Sequence, residues 1–433
     1  MALYPLYLGV DVGTSGCRAV VINNHGDQIA AHHVAMASAN QAGARRSQNG
    51  EIWWQTVCRL LKELGNMVPM HEVAAIAVDG TSSTLLITDE NGRPVSDGLM
   101  YNDARSHKEA QQIAAIAPAE SAAHGASSAL AKLLWLQKQR MPENTRHALH
   151  QADWIAGQLS GQFGISDENN CLKLGYDIIN RCWPKWFDQL NIDRSLLPQV
   201  TIPGTTIGTV RNAIAHLLAL SPQTRIVSGT TDSIAAFLAT GASEIGDAVT
   251  SLGSTLALKI LSNKPLFAPK FGVYSHRLGD KWLVGGASNC GGTTLLQCFS
   301  SAQMAAMTPR LTPDIPTGLD YYPLPSSGER FPVNNPKFPA RITPRPADDV
   351  RYFQGLLEGI ATVEQQGYQL LAELGAPYPS KVLTVGGGAQ NPAWNKIRHN
   401  RLGVPVEVSQ KTETALGPAM LALNSEPKAE IPA

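Results

Sequence analysis

"LGVDVGTSGCRAVVI", Leu8 to Ile22, is an apolar run that breaks at Asp11-Val12-Gly13-Thr14-Ser15-Gly16 and resumes at once as a second apolar run. Strand, turn, strand is the direct reading. Gly, Ser and Asp are common turn residues, so an ordinary hairpin accounts for the break. A second account is an anion nest, because a turn with one carboxylate and nothing larger than Val leaves its backbone N–H groups uncovered. The rest of the chain decides between the two.

Downstream, "QIAAHHVAM" follows the turn signal "NHGD" and predicts a third strand. That makes an antiparallel meander, which a dinucleotide-binding βαβ start would not give. His32 and His33 fall next to each other on it and are expected to alternate between core and solvent. "EIWWQTVCRLLKELGNM" has apolar residues at helical spacing, and "VAAIAVDG" reads as a short buried strand ending at Asp79-Gly80. Together they predict a mixed α/β sheet.

A second cycle opens near residue 226. "RIVSGTTDSIAAFLATGA" predicts a strand, a small polar turn and a helix whose positive end lies behind Thr231-Asp232-Ser233. "AVTSLGSTLALKIL" is again two apolar runs pinched at Gly and hydroxyls, with Ser251-Leu252-Gly253-Ser254-Thr255 in the place of Asp11 to Ser15. The chain reads as two copies of one unit facing each other, able to grip one ligand from both sides. That recurrence favours the anion nest. A third cluster, "KVLTVGGGAQNPAWNKIRHNRLGVPVEV", gives a strand, Gly386-Gly387-Gly388, a helix from about Pro392 and another strand. Three glycines admit a phosphate or a flat ring, and Asn391 and Trp394 offer hydrogen bonds and an aromatic face. The plain alternative is a tight strand-to-helix turn with Trp394 packing the helix onto its sheet.

At 433 residues the chain is too long for a single core, and two or three domains are expected. Lys+Arg and Asp+Glu are both 35. With no basic or acidic excess, a nucleic acid or a membrane surface is not the expected partner; a small molecule is. The six cysteines form no CxxC and read as buried thiols of a reducing compartment. No leader pattern and no apolar span of membrane length is visible, so a cytoplasmic protein is expected.

Seven stretches in order, "DVGTSG" at 11–16, "DGTSST" at 79–84, "SSALAKLLWLQ" at 127–137, "GTTDS" at 229–233, "SLGST" at 251–255, "GLLEGIA" at 355–361 and "GGGAQN" at 386–391, resemble the FGGY carbohydrate kinases of the actin, hexokinase and chaperone-ATPase superfamily. Ala129 departs from the first family signature, where Pro, Ser or Thr is usual. Within the family, "YNDAR", "NNCLKLGYD", "GGASNCGG" and "GLDYYPLPSSGERFP" look most like the short D-ribulose kinases, also described as xylulose kinase-like.

The resemblance implies an α/β fold of two actin-like (ribonuclease H-like) ATPase domains, mixed sheets flanked by helices, with a central cleft. The expected domains are 1–238 on the sugar side, joined by a C-terminal helix at about 413–424, and 239–412 on the nucleotide side. The implied reaction is ATP-dependent phosphorylation of a pentulose, D-ribulose ahead of D-xylulose, with ATP and Mg2+ and a homodimer as the assembly allowed for. A rival from another class is a nucleotide-driven conformational protein of the same superfamily. A third reading, a sugar-binding regulator without catalysis, is opposed by the presence of Asp11, Thr14 and Asp232 together.

The roles implied are these. Asp232 is the general base, with an N-cap aspartate as its plain alternative. Asp11 holds Mg2+, through water, or else bonds its own turn. Gly13 and Thr14 with Gly253, Ser254 and Thr255 take the terminal phosphates. Asp11, Ser15, Gly16, Ser82, Asp232 and Ser233 hold the sugar. Gly386, Gly387, Asn391 and Trp394 take the adenine and ribose. Trp53, Trp54, Asn102 and Asp103 are weaker candidates for the sugar cleft, since a helix core and a simple turn explain them too. Cys290 in "SNCGG" reads as a buried thiol and not a nucleophile. The Pro-rich stretch at 323–349 is expected to be a surface loop, and the tail from 424 a disordered end.

Overall fold

β1 (Leu6–Val12), β2 (Gly16–Ile22) and β3 (Gln28–Ala35) form the antiparallel meander that the opening stretch predicts. Their setting is seen in a computed structural model, which describes residues 5–139 and 141–425. The chain divides into two compact units, one running to Ala239 and resuming at Glu413, the other spanning Thr240–Thr412.

In unit 1, β1 also pairs in parallel with the strand Val73–Gly80, which pairs in parallel with Arg225–Thr231. An antiparallel edge strand, Thr206–Thr209, completes six strands. α1 (Gly50–Leu64) begins at Asn49, whose side chain accepts a hydrogen bond from the Glu51 N–H. Its buried residues Trp53, Val57, Leu60, Leu61 and Leu64 recur at helical spacing and join the core under β1. On the opposite face lies the returning helix Leu416–Asn424. Gly9 makes that docking close: a Cβ there would overlap the Ala415 carbonyl and the Ala419 amide nitrogen.

Unit 2 repeats the plan. Asp247–Leu252 and Leu256–Ser262 are an antiparallel pair, Lys281–Ser288 adds to the second, and Lys381–Val385 and Val406–Val408 follow in parallel on the far side of the first. The extra strand, Tyr274–Leu278, lies at the opposite edge from its counterpart in unit 1. The long helix Asp349–Glu373 covers this sheet and buries, among others, Phe353, Leu356, Leu357, Ile360 and Tyr368. Duplication of one unit, read from two turns, is thus visible as two sheets that share an order of five strands, each with one added edge strand.

Several expectations need correction. Trp53 is 0% exposed; its indole N–H donates to Gln48 Oε1 (2.6 Å) and its ring meets Trp154 edge-on. Trp53 therefore has no face free for a ligand; Trp54 is half-buried against the same core and does not line the cavity described below. Asp103 is also buried, accepting from the Arg46 N–H and clamped by Arg105 at 2.7 Å, which makes it a structural anchor for its turn; Asn102 beside it is exposed. The 323–349 stretch is more than a surface loop. Leu324 and Phe331 enter the core, and Glu329, 2% exposed, accepts from Ser288 Oγ, the Asn289 N–H and Tyr322 Oη. The cysteines are free, yet only Cys17, Cys171 and Cys290 are buried; Cys58 and Cys298 are half-buried and Cys182 is exposed. His32 is half-buried and bonded to Glu63 at 2.7 Å, while His33 is exposed. The disordered-tail expectation concerns residues that, from 426 on, lie outside those described.

Candidate functional site

Unit 1 carries a cavity of about 460 Å³ at the ends of its central strands, lined by Asp11, the 13–18 turn, Thr81, Asp232 and Thr414, with His33 and Tyr101 at its margin. Asp11 is the next-to-last residue of β1. Its register neighbours are Arg18 on one side and Asp79 on the other, and Arg18 Nη1 reaches Asp11 Oδ2 at 3.2 Å. The turn itself is closed by the Gly13 N–H donating to the Gly16 carbonyl at 3.0 Å. Thr14 and Ser15 stand exposed at its tip. Gly16 has to be glycine because a Cβ would come within 2.7 Å of the Val34 carbonyl oxygen.

Asp232 arrives by a different device. The strand Arg225–Thr231 slips register against Val73–Gly80 between Val227 and Thr230, a bulge that sets Thr230 opposite Asp79. Gly229 makes it feasible, since a Cβ there would overlap the Val78 carbonyl. The strand then runs without an intervening turn into the helix Asp232–Ala239, so Asp232 is the first helical residue, half-buried and facing the cavity. Its Oδ1 accepts from the Ser233 N–H at 2.7 Å. Ser233 and Ser82 are half-buried but do not line the cavity; Thr81, beside Ser82, does.

Asp79 was not among the candidate residues. It is 0% exposed, and neither carboxyl oxygen receives a hydrogen bond from any donor group among the described residues. Burial, then the charges of Asp11 and Asp232, hold its carboxyl well above the ordinary range. That environment favours the protonated form of Asp79, whose O–H then has the neighbouring Asp11 as its acceptor. Burial raises the Asp11 carboxyl too, while the bond from Asp79 and the Arg18 guanidinium pull it back. The arrangement keeps one negative charge at Asp11 where two adjacent carboxylates would repel. The signal in the sequence was a lone acid closing an apolar strand, the same position Asp11 occupies in β1.

In unit 2 three glycine turns lean on one another. The Gly253 N–H donates to the Thr255 carbonyl at 3.1 Å, leaving Ser254 and Thr255 exposed. Against this turn lies the Cys290-Gly291-Gly292 segment, with the Gly292 N–H on the Gly253 carbonyl at 2.9 Å and the Thr293 hydroxyl on the Ser254 carbonyl at 3.0 Å. Gly386, at φ +90°, abuts from the other side; its Cβ would meet the Leu252 carbonyl oxygen at 2.6 Å. Gly387 faces open space. "SNCGG", singled out only for its thiol, is thus a structural partner of the phosphate-type turn. Burial pushes the Cys290 thiol well up, so it is inert as a nucleophile.

Trp394 needs correction. It is 3% exposed in the unit 2 core, with its indole N–H on the Leu357 carbonyl at 3.2 Å, so its ring packs the helix Pro392–Leu402 and has no free face for a base. Asn391 caps that helix by accepting from the Trp394 N–H, and its amide N–H donates to Thr308 Oγ1. Among the described residues no group of three or more His, Cys, Asp or Glu side chains is arranged to hold a metal unaided. Magnesium does not require one, since one or two carboxylates plus phosphate oxygens and water suffice. Asp11, a buried carboxylate open to the cavity, fits that role.

The fold and these two turns define a sugar-kinase type of ATPase. The chain belongs to the FGGY family of carbohydrate kinases: the N-terminal domain model matches residues 6–239 and the C-terminal domain model residues 248–425. It is 23% identical to the xylulose kinase of Escherichia coli (strain K12) over 435 residues, 96% of this chain and 88% of that protein. Its fold is that of a ligand-bound xylulose kinase from Lactobacillus acidophilus, with a TM-score of 0.84 at 17% identity over 97% of this chain and 89% of the other. It is also that of Plasmodium falciparum glycerol kinase with ADP, with a TM-score of 0.82 at 16% identity, covering 98% and 90%. The chain is an ATP-dependent sugar kinase of two actin-like domains. No helix among the described residues is long and apolar enough to cross a membrane.

Proposed function

We propose that this kinase transfers the γ-phosphoryl group of ATP to a hydroxyl of a ketopentose, D-ribulose ahead of D-xylulose, in the cytoplasm. The observation that carries the reading is the convergence of Asp11 and Asp232 on one cavity whose other wall is the small, donor-rich 13–16 turn. A polyol needs many directional hydrogen bonds, and that turn supplies them through Ser15 and Gly16, with Ser82 and Ser233, half-buried next to the cavity residues Thr81 and Asp232, as the further donors proposed. Asp232 takes the proton of the attacking hydroxyl as its oxygen bonds to the γ-phosphorus and the bond to the bridging oxygen of ADP breaks. Mg2+, held from Asp11, neutralises phosphate charge when bound. In unit 1 the exposed Thr14, and in unit 2 the exposed Ser254, Thr255, Gly386 and Gly387, are the groups each unit offers to phosphate or nucleotide, while Gly13, Gly253 and Asn391 shape the turns that present them.

D-Ribulose is favoured by "NNCLKLGYD" and the other stretches that resemble short ribulose kinases; D-xylulose is favoured by the names of the relatives. An ADP-release screen over ketopentoses, polyols and hexoses separates them. D-Ribulose is expected to give the highest kcat/KM, and Asp232→Asn to lower kcat by about 10²-fold or more with nucleotide still bound. Turnover indifferent to every sugar would overturn the reading in favour of the nucleotide-driven rival.

A further inference from the structure

We infer that Lys132 is a positioning residue of the sugar subsite, holding the Thr81–Thr84 turn in the one conformation that offers Ser82 to the substrate. Lys132 belongs to the "SSALAKLLWLQ" stretch, on the helix Ala129–Lys138, and is 0% exposed. A lysine is seldom buried so far without a carboxylate partner. This one makes, among the described residues, a single hydrogen bond, from Nζ to the Ser83 carbonyl oxygen at 2.8 Å.

The accepting residue explains why. Ser83 is not glycine, yet it adopts φ +70°, a left-handed conformation that costs an L-residue on the order of 1 kcal/mol and persists only where its surroundings fix it. Ser83 is 2% exposed and its Oγ has no partner of its own, so the restraint comes through the backbone carbonyl. The other side of the turn is tied independently. Thr81 donates from its N–H and its hydroxyl to Gln151 Oε1 at 3.1 and 2.9 Å, and the Thr84 hydroxyl meets the Thr81 hydroxyl at 2.5 Å. Three of the four residues are buried; Ser82 alone is partly open, next to Thr81 in the cavity wall. A turn pinned from both sides, with one hydroxyl left out, is a way to aim that hydroxyl.

The inference rests on the sugar-subsite reading above, so two variants are compared. Ser82→Ala tests the subsite and Lys132→Met tests the restraint. Lys132→Met is expected to raise the sugar KM about tenfold, the size of a lost buried hydrogen bond, with the KM for MgATP moved less than twofold. Lys132→Gln, which still carries an N–H donor, is expected to recover part of the loss. Should Lys132→Met not fold, Lys132→Gln carries the test alone, with a sugar KM raised at least about threefold. A raised sugar KM in Ser82→Ala with an unchanged one in Lys132→Met, or in Lys132→Gln where that stands in, overturns the role of Lys132 and leaves the subsite intact. An unchanged sugar KM in Ser82→Ala overturns the subsite itself. Equal rises in the KM for sugar and for MgATP would make Lys132 a general structural residue and overturn the inference.

Discussion

Asp79 faces Asp11 across the parallel pairing of Val73–Gly80 with β1, and burial beside the Asp11 and Asp232 charges raises its carboxyl well above the ordinary range, which favours a proton held between Asp79 and Asp11. Asn at 79 keeps a donor of nearly the same shape, whereas Val removes it. Asp79→Asn should therefore leave kcat within about threefold, and Asp79→Val should lower it about ten- to hundredfold through the loss of a bond to a charged group. Steady-state kinetics of the two proteins side by side decides it. Equal losses would make Asp79 a packing residue only.

Asp11 is the expected anchor for magnesium. Asp11→Ala should shift the Mg2+ dependence of turnover to higher concentration and depress kcat at saturating sugar, because phosphate charge loses its counter-ion support. A Mg2+ titration that overlays the parent curve would reduce Asp11 to a turn residue tied to Arg18.

Gly387 allows the nucleotide side to be probed without disturbing the fold. A Cβ there meets nothing within 4 Å, so Gly387→Ala should melt where the parent melts. If ATP lies against that backbone, its KM should nonetheless rise about tenfold, the cost of roughly 1.4 kcal/mol of lost contact. An unmoved KM for ATP would take Gly387 out of the site.

Gly229→Ala should be among the most damaging single changes in unit 1. The added methyl overlaps the Val78 carbonyl, and only a shift of the bulge could relieve it. We expect a loss of at least about 3 kcal/mol, read as a lowered denaturant midpoint or as insoluble protein. A midpoint unchanged by the substitution would show the bulge to be slack.

Asp167 gives a pH-dependent prediction away from the cavity. Burial, then the Asp153 charge, push its carboxyl from 3.8 up to about 8. Between those values the folded chain holds a proton that the unfolded chain has released. Stability from this group is therefore complete below about 3.8 and falls as pH rises towards 8, by at most about 1.4 kcal/mol per pH unit. The Asn170 amide and the Asn169 and Asn170 N–H groups donate to Asp167 and pull its carboxyl back without cancelling the rise. Asp167→Asn removes the titrating group. Its melting temperature should match the parent near pH 4 and exceed it increasingly up to pH 8; a constant difference would refute the shift.

How far the sequence could be read depended on which signals are local. The meander, α1 and the two matching turns are written in neighbouring residues, since period-two and helical spacing and Gly-hydroxyl punctuation need no tertiary context. Asp79 was missed because its meaning comes from standing beside Asp11, on a strand distant in sequence. Trp394 is placed at a ligand by its sequence, and Trp53 left open between ligand and core, for the converse reason. Aromatic residues suit both a ligand face and a core, and only packing separates the two. "SNCGG" drew attention to its sulfur, whereas its use lies in glycines that fit against a turn formed elsewhere in the chain. The Pro-rich 323–349 stretch has no periodicity, yet Glu329 and Phe331 fasten it from within.

The helix Leu416–Asn424, seated on β1 through Gly9, places an order on synthesis. A ribosome making this chain releases β1, its neighbours and the helix Asp232–Ala239 well before the segment that covers their remaining apolar face. Elongation through 240–412 occupies on the order of ten seconds or more. For that interval Tyr7, Val20, Ala75 and Val227, part of the patch the helix later buries, stay open to water and to other nascent chains. The first-made half of the enzyme is thus the last to be finished, and the nascent chain is most exposed to aggregation while its second half is still being translated.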